Sequence, residues 1–289
     1  MKNLMICETP FQLMTILTIA EILKKEDSLD LIIVDNFRNY NNVADNIKKK
    51  NIFNNVYVAK TVNIKSRIRL SLCSISYRYM LKCCELDIKD EYDFIYVRTC
   101  YNDLNNAIAF MCRRAEIIIF DEGYSTYTSD MHEAYKRFSY FHKVTWNISK
   151  KLNSGNDIAS RANSIFLYNP NLCVFDIPYK KNRIEINEGI KKSVYETLCS
   201  VFNTVKAADE YKGKKYIFFE ECFAEDFGNN GDEKIIQQIA EIVDKENLII
   251  KLHPRDKSNR FEKLGYYTNK ELSIPAEVMI AEFEKEERV

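Results

Sequence analysis

His253 and Pro254 close the apolar run Leu248-Ile-Ile-Lys-Leu-His-Pro-Arg255. Proline cannot continue a strand ladder, so His253 is expected where a strand stops and a loop opens. In open α/β sheets that carboxyl end is where ligands bind. A second apolar run, Glu116-Ile-Ile-Ile-Phe-Asp-Glu-Gly123, ends on two acids and a glycine. One strand end thus offers carboxylates, and the other offers an imidazole flanked by Lys251 and Arg255. A carboxylate takes the proton of a weak nucleophile, and a histidine supported by cations stabilises charge on a phosphate. The pairing predicts acid–base chemistry on a phosphorylated substrate.

Such strand ends need a parallel sheet to hold them. Strand patterns run over Asn3–Cys7, Leu29–Val34, Asn55–Ala59, Phe94–Arg98 and Ile117–Phe120. Helical patterns lie between them at about 11–25, 40–50, 64–84 and 102–113, an alternation that predicts parallel strands covered by helices on both faces. Residues 131–153 follow as a long helical pattern rich in aromatics and cations, and Ser164–Tyr168 as a short strand. Asn169–Glu188, with Pro170, Pro178, Lys180, Lys181 and Arg183, reads as an interdomain connector. A helix at about 186–207, strand Lys215–Phe219, a helix at about 232–245 and strand Leu248–Leu252 form a second, smaller α/β unit. Domains are expected at 1–185 and 186–289. Two strands are few for an independent sheet, so the second unit is expected to be truncated or completed by another subunit.

Composition excludes several classes. The chain has 289 residues, 46% hydrophobic and 29% charged, with formal net charge zero. That is an ordinary globular composition, long enough for two cores. No global field draws it to nucleic acid, so any attraction to an anionic surface is local. No G-x-G-x-x-G or Walker A sequence is present, which excludes the common glycine-built phosphate cradles. Nine cysteines include no C-x-x-C and lie mostly in apolar patterns, as expected of packed thiols in a reducing compartment. Cys7 is read as packed within its strand. The N-terminus enters a strand directly, without a signal-peptide pattern. The apolar run Leu13–Leu23 carries Glu21 and is too short to span a bilayer. A cytoplasmic protein is expected.

Three segments together carry a family resemblance. Asn3-Leu-Met-Ile-Cys-Glu-Thr-Pro-Phe-Gln12 resembles the C-x-T-P-x-Q signature of glycosyltransferase family 52. Asp121-Glu122-Gly123 resembles the acid-acid-glycine motif of bacterial sialyltransferases, and His253-Pro254 their HP motif. The resemblance implies a GT-B fold, in which two Rossmann-like domains face a cleft, with the acceptor on the N-terminal domain and the nucleotide sugar on the C-terminal one. It implies inverting, metal-independent transfer of sialic acid from CMP-sialic acid to a terminal galactose of lipooligosaccharide or capsule, with no further cofactor. It also implies a homodimer. The family's C-terminal serine pair has no counterpart after Ser273, which again points to a truncated end.

Roles follow from residue chemistry and from that resemblance. His253 is the expected donor to the leaving phosphate, although a histidine capping a strand end would look the same. Lys251, Pro254, Arg255 and Glu221 are expected on the donor side. The general base is Asp226, in the acidic stretch Glu220-Glu221-Cys-Phe-Ala-Glu-Asp226, or Asp121, with Glu122, Glu221 and Asp232 as further candidates. Neighbours on an extended strand point opposite ways, so only one of Asp121 and Glu122 faces the cleft unless a turn has begun. Gly123 suits such a turn or a positive φ. Thr9 fits a helix N-cap and Pro10 a first helical turn. Capping does not explain Gln12, and the resemblance sets Thr9, Pro10, Gln12 and Gly123 at the cleft.

Two basic, aromatic segments need a separate account: 64–84, with Lys65, Arg67, Arg69, Arg78 and Lys82, and 131–153, with Lys136, Arg137, Lys143, Lys150 and Lys151 beside Phe138, Phe141 and Trp146. Each fits an amphipathic helix with a solvated cationic face, a peripheral contact with anionic lipid on the inner face of the cytoplasmic membrane, or a subunit interface. His132 and His142 are read as surface or interface residues of the second. Lipid docking would bring a lipid-linked acceptor close, whereas nucleic-acid binding is not expected. Two rival functions remain: transfer of another nucleotide sugar on the same fold, and a non-catalytic sugar-nucleotide-binding protein.

Overall fold

The computed structural model describes residues 1–23, 27–61, 73, 75–88, 91–128, 136, 140–152, 158–174, 179–204, 210–220, 231–253, 260–270 and 274–285. The chain divides into two compact units, Met1–Asn36 with Tyr40–Val194, and Phe37–Asn39 with Tyr195–Val289.

The first unit is built on a seven-stranded parallel sheet. Its strands are β1 (Lys2–Cys7), β2 (Ser28–Val34), β3 (Asn55–Ala59), β4 (Phe94–Val97), β5 (Glu116–Phe120), β6 (Ala162–Leu167) and β7 (Lys180–Arg183). Their order across the sheet is β3-β2-β1-β4-β5-β6-β7. The inner strands are near-continuous apolar runs because helices cover both faces, and Leu4, Met5, Ile6 and Cys7 of β1 are all buried. Its helices are α1 (Pro10–Leu23), α2 (Tyr40–Lys49), α3 (Tyr77–Cys83), α4 (Asp103–Met111), α5 (Tyr124–Thr128), α6 (Tyr140–Leu152) and α7 (Ile158–Arg161), while α8 (Glu188–Phe202) runs across the division between the units. Thr9 starts α1 by accepting the Gln12 N–H on Oγ1 at 3.2 Å, with Pro10 as the first helical residue. Asn102 starts α4 in the same way, taking the Asn105 N–H at 3.1 Å.

Register positions the site. Met5 pairs with Leu31 of β2 on one side and with Tyr96 of β4 on the other. Successive strands run outward from β1 to β3, and then the chain returns to place β4 on the opposite side of β1. A crevice therefore opens at the carboxyl ends of β1 and β4, where the strand order reverses.

The second unit holds a three-stranded parallel sheet in the order β10-β9-β8, formed by β8 (Tyr216–Phe219), β9 (Leu248–Lys251) and β10 (Tyr267–Thr268). Helices α9 (Gly231–Ala240), α10 (Arg260–Lys263) and α11 (Ala276–Lys285) belong to it. Leu248, Ile250 and Leu252 pack with Ile236, Phe261 and Tyr266 in its core. By strand alternation Ile249, Lys251 and His253 belong to the other face. Two parallel α/β units in series, the second smaller, match the GT-B composition expected.

Two strands depart from expectation. β7 lies inside the stretch read as a connector, and pairs in parallel with β6 from Ser164↔Lys180 to Leu167↔Arg183. As an edge strand it has little apolar surface to bury, and its Lys-Lys-Asn-Arg sequence is a charged edge of the kind that blocks further pairing. β10 gives the second unit a third strand, but two residues are too few to make a pattern. Of the two basic segments, the described helices are α3 and α6. Lys65, Arg67, Arg69, His132, Arg137 and Phe138 lie outside the described residues. Among the described residues the eight cysteines take part in no disulfide, and no helix is long and apolar enough to cross a membrane.

Candidate functional site

Each unit gathers polar side chains at the carboxyl ends of its strands. In the first, Glu8 directly follows β1, Arg98 directly follows β4, and Glu122 lies two residues beyond β5. Arg98 joins the three ends: its Nε donates to Glu8 Oε2 at 3.2 Å and its Nη1 to Glu122 Oε2 at 2.9 Å. Glu8 is buried. It also accepts from Asn102 Nδ2 and Asn105 Nδ2, each at 3.2 Å. Burial opposes the charge on Arg98, yet Glu8 and Glu122 together hold its guanidinium above the ordinary range. Gln12, which capping left unexplained, completes the group. Its Oε1 accepts the Glu8 N–H at 2.7 Å, and its Nε2 approaches Glu122 Oε2 at 3.5 Å.

The turn after β5 decides which acid faces outward. Gly123 has φ +106°, a conformation open to glycine and strained for other residues. Asp121 is buried within this turn and accepts the Gly123 N–H at 2.8 Å, the Tyr168 N–H at 3.2 Å and the Tyr127 hydroxyl. Burial and that hydrogen bond push the Tyr127 phenol up. Asp121 therefore clamps the turn, and Glu122 is the acid presented to Arg98. Cys7 is buried, and desolvation raises its thiol, as expected of a packed residue.

Beside this cluster is a cavity of about 280 Å³, whose lining includes Glu8, Asn36, Lys60, Asn102, Asp103 and His142. Lys60 follows β3 and donates to the Tyr40 hydroxyl at 3.0 Å, a bond that raises its ammonium above the usual value. His142, read from sequence as a surface or interface residue, lies at this wall with Nε2 3.5 Å from Asp103 Oδ2.

In the second unit the centre is the end of β9. The His253 backbone N–H donates to Glu220 Oε2 at 2.9 Å, and the Leu252 N–H to Asn269 Oδ1 at 2.6 Å. Glu220, directly after β8, is buried, and its other oxygen takes Arg260 Nη2 at 2.9 Å. The same nitrogen donates to Asp232 Oδ2 at 3.0 Å, so one guanidinium neutralises two buried acids. Lys251, 5% exposed, is lowered by desolvation from 10.5 to about 8, with Glu277 opposing the shift.

The structure thus brings together Gln12 with Glu122 and Asp121 with Gly123, and sets His253 two residues beyond Lys251, the last residue of β9. Asp226, Glu221, Pro254 and Arg255 lie outside the described residues. Glu8, Arg98, Asn102, Asn105 and Arg260 had not been singled out. The first two carried a usable signal, since each is the first residue after an apolar strand. Arg260 carried none, because its partners come from separate elements, Glu220 at the end of β8 and Asp232 in the first turn of α9.

Comparison with known proteins gives a family and a set of folds. The sequence pattern of the family described as Alpha-2,8-polysialyltransferase (POLYST) matches residues 3–287. No curated protein matches the sequence. Among solved structures, a UDP-N-acetylglucosamine 2-epimerase from Rickettsia bellii is similar at 14% identity, over 93% of this chain and 68% of its own, with TM-score 0.49. The S. aureus MnaA–UDP co-structure is similar at 12% identity, over 90% of this chain and 64% of its own, with TM-score 0.45. For MurG of Acinetobacter baumannii the values are 8%, 92% and 62%, with TM-score 0.39. The chain therefore spans less than two thirds of the length of the last two.

Proposed function

This chain belongs to the alpha-2,8-polysialyltransferase family, and from that premise we propose that it transfers sialic acid from CMP-sialic acid to the end of a bacterial surface glycan. The family is one of sialyltransferases, hence of glycosyltransferases. The match over residues 3–287 is the observation that carries the reading, and the likeness to glycosyltransferase family 52 at Cys7–Gln12 and His253-Pro254 supports the finer chemistry. Transfer proceeds with inversion and without metal or further cofactor. The acceptor hydroxyl loses its proton to a carboxylate as it attacks the anomeric carbon, and the bond to CMP breaks. His253 donates to the departing phosphate, with Lys251 and Arg255 as electrostatic support and Pro254 and Glu221 beside them.

Asp226 is the proposed base. Asp121 is less suited, because its oxygens already hold the Gly123 and Tyr168 amides and the Tyr127 hydroxyl. Thr9, Pro10, Gln12 and Gly123 belong to the acceptor side, together with Glu122. Two acceptors fit this chemistry, a terminal galactose and a terminal sialic acid. The family's name, an α-2,8 linkage in a sialic acid polymer, favours the second. The reading includes a cytoplasmic homodimer using a lipid-linked acceptor, with light scattering as the check on the dimer.

The experiment is release of CMP or UDP from CMP-sialic acid, UDP-galactose, UDP-glucose and UDP-N-acetylglucosamine, with galactose- and sialic-acid-ended acceptors. CMP release and transfer with the first donor alone is the expected result. In that assay His253→Ala lowers turnover by about 10²–10⁴-fold while melting at the wild-type temperature. A response confined to a UDP-sugar discards the donor, and silence with every donor discards the catalytic reading.

A further inference from the structure

Helix α6 has its faces reversed for a helix packed on a globular unit. Its buried side chains are Thr145, Trp146 and Ser149. Tyr140, Val144, Ile148 and Leu152, spaced four residues apart on one stripe, are exposed instead, with Phe141 beside them. The exposure is large at both ends, 85% for Tyr140 and 62% for Leu152. Four-residue spacing keeps side chains neighbours on a helix surface, so these five form one patch rather than scattered contacts. A contiguous apolar patch left in water marks a surface that meets something else.

The charges on the same helix indicate what that is. Lys150 and Lys151 are exposed, Lys143 is partly exposed, and α6 contains no aspartate or glutamate. At about 100° per residue, Lys151 falls within the edge of the apolar stripe, and Lys143 and Lys150 flank it on one side. A two-fold contact between copies of this helix would set lysines against lysines with no acid on the helix to offset them. An anionic lipid surface suits both features, since acyl chains receive the stripe while ammonium groups reach the headgroups. The helix has 13 residues. That is about 20 Å, long enough to lie in the interface and too short to span a bilayer.

We propose that α6 is an in-plane membrane helix that docks the first unit onto an anionic lipid surface. The inference stands apart from the sugar chemistry; taken with the transferase reading, it brings the enzyme to a lipid-linked acceptor.

The test is vesicle flotation of the full chain, with phosphatidylcholine alone and with about 30% phosphatidylglycerol added. Wild type is expected to float with the anionic vesicles at least about tenfold better than with neutral ones. Ile148→Glu with Leu152→Glu abolishes flotation on both. Lys150→Glu with Lys151→Glu removes the preference for anionic vesicles, since each lysine is worth roughly fivefold in partitioning. All four side chains are exposed, so the variants are expected to melt as wild type does. The proposal is overturned if wild type floats with neither vesicle, if the apolar pair makes no difference, or if that pair instead splits a dimer seen by light scattering. CMP release measured without lipid separates the two ideas: lost flotation leaves it intact, and a failed donor assay leaves flotation intact.

Discussion

Glu220 accepts the backbone N–H of His253 at 2.9 Å, so the backbone at the histidine is held by a buried carboxylate from the end of the adjacent strand. Its second oxygen is held by Arg260 at 2.9 Å. Glu220→Gln keeps the shape but turns an amide N–H toward one of those two donors. The expected cost is about 2–3 kcal/mol in urea denaturation, with faster exchange of the His253 amide. Unchanged stability together with unchanged exchange would show that the carboxylate does not hold the His253 backbone.

Arg260 carries more than its single charge. Arg260→Leu leaves Glu220 and Asp232 buried without their shared cation, and the expected loss is about 3–5 kcal/mol. Arg260→Lys is expected to recover only part of it, because although one nitrogen, Nη2, serves both acids, the shorter stem and the loss of Nε, 3.5 Å from Glu233 Oε1, limit the replacement. Chemical denaturation of the three proteins checks the ranking.

Lys251 sets a pH dependence of stability. Burial lowers its pKa from 10.5 to about 8. Between those values the unfolded chain holds a proton that the folded chain has released, so this residue's contribution to stability rises from pH 8 to pH 10.5. Below that window the folded state carries the full cost of a buried ammonium, on the order of 3 kcal/mol. Lys251→Met is therefore expected to be more stable than wild type at neutral pH, with the gain gone above pH 10.5. In the proposed transferase the same change weakens donor binding, because the phosphate loses a cation. Equal melting temperatures of the two proteins at neutral pH would contradict the burial cost.

Asp121 and Asp226 are separable by asking what each loss damages. Asp121→Asn puts an amide against three donors, the Gly123 and Tyr168 amides and the Tyr127 hydroxyl, and is expected to cost about 1–3 kcal/mol and to lower the melting temperature. Asp226→Asn, as the proposed base, is expected to lose about 10²–10⁴-fold in turnover with little change in melting. The reverse pattern would move the base to Asp121.

Arg98 is expected to matter to the first unit as Arg260 does to the second. Arg98→Met leaves Glu8 buried with only its two asparagine donors, at a cost of about 3 kcal/mol. Adding Glu8→Gln to Arg98→Met is expected to restore part of the loss, since the uncompensated buried charge is then removed. A double-mutant cycle in urea measures that coupling.

Local order was legible from residue types alone. The inner strands β1, β2, β4 and β5 stood out because a parallel strand buried on both faces is a continuous apolar run. Thr9 capping Gln12 and the positive φ of Gly123 were readable for the same reason, since each depends on its immediate neighbours. Edge strand β7 and the two-residue β10 were not, because neither needs an apolar pattern. The groupings that matter for chemistry were hidden as well. Glu8, Arg98 and Glu122 meet only because the order β3-β2-β1-β4-β5 sets three distant strand ends side by side. The exposed stripe of α6 gives the same lesson, because its periodicity is that of any amphipathic helix and only packing shows which face is left uncovered. Capping and strand burial are governed by a residue and its near neighbours, whereas strand order and the choice of buried face are settled by long-range packing of the whole sheet, which no local pattern encodes.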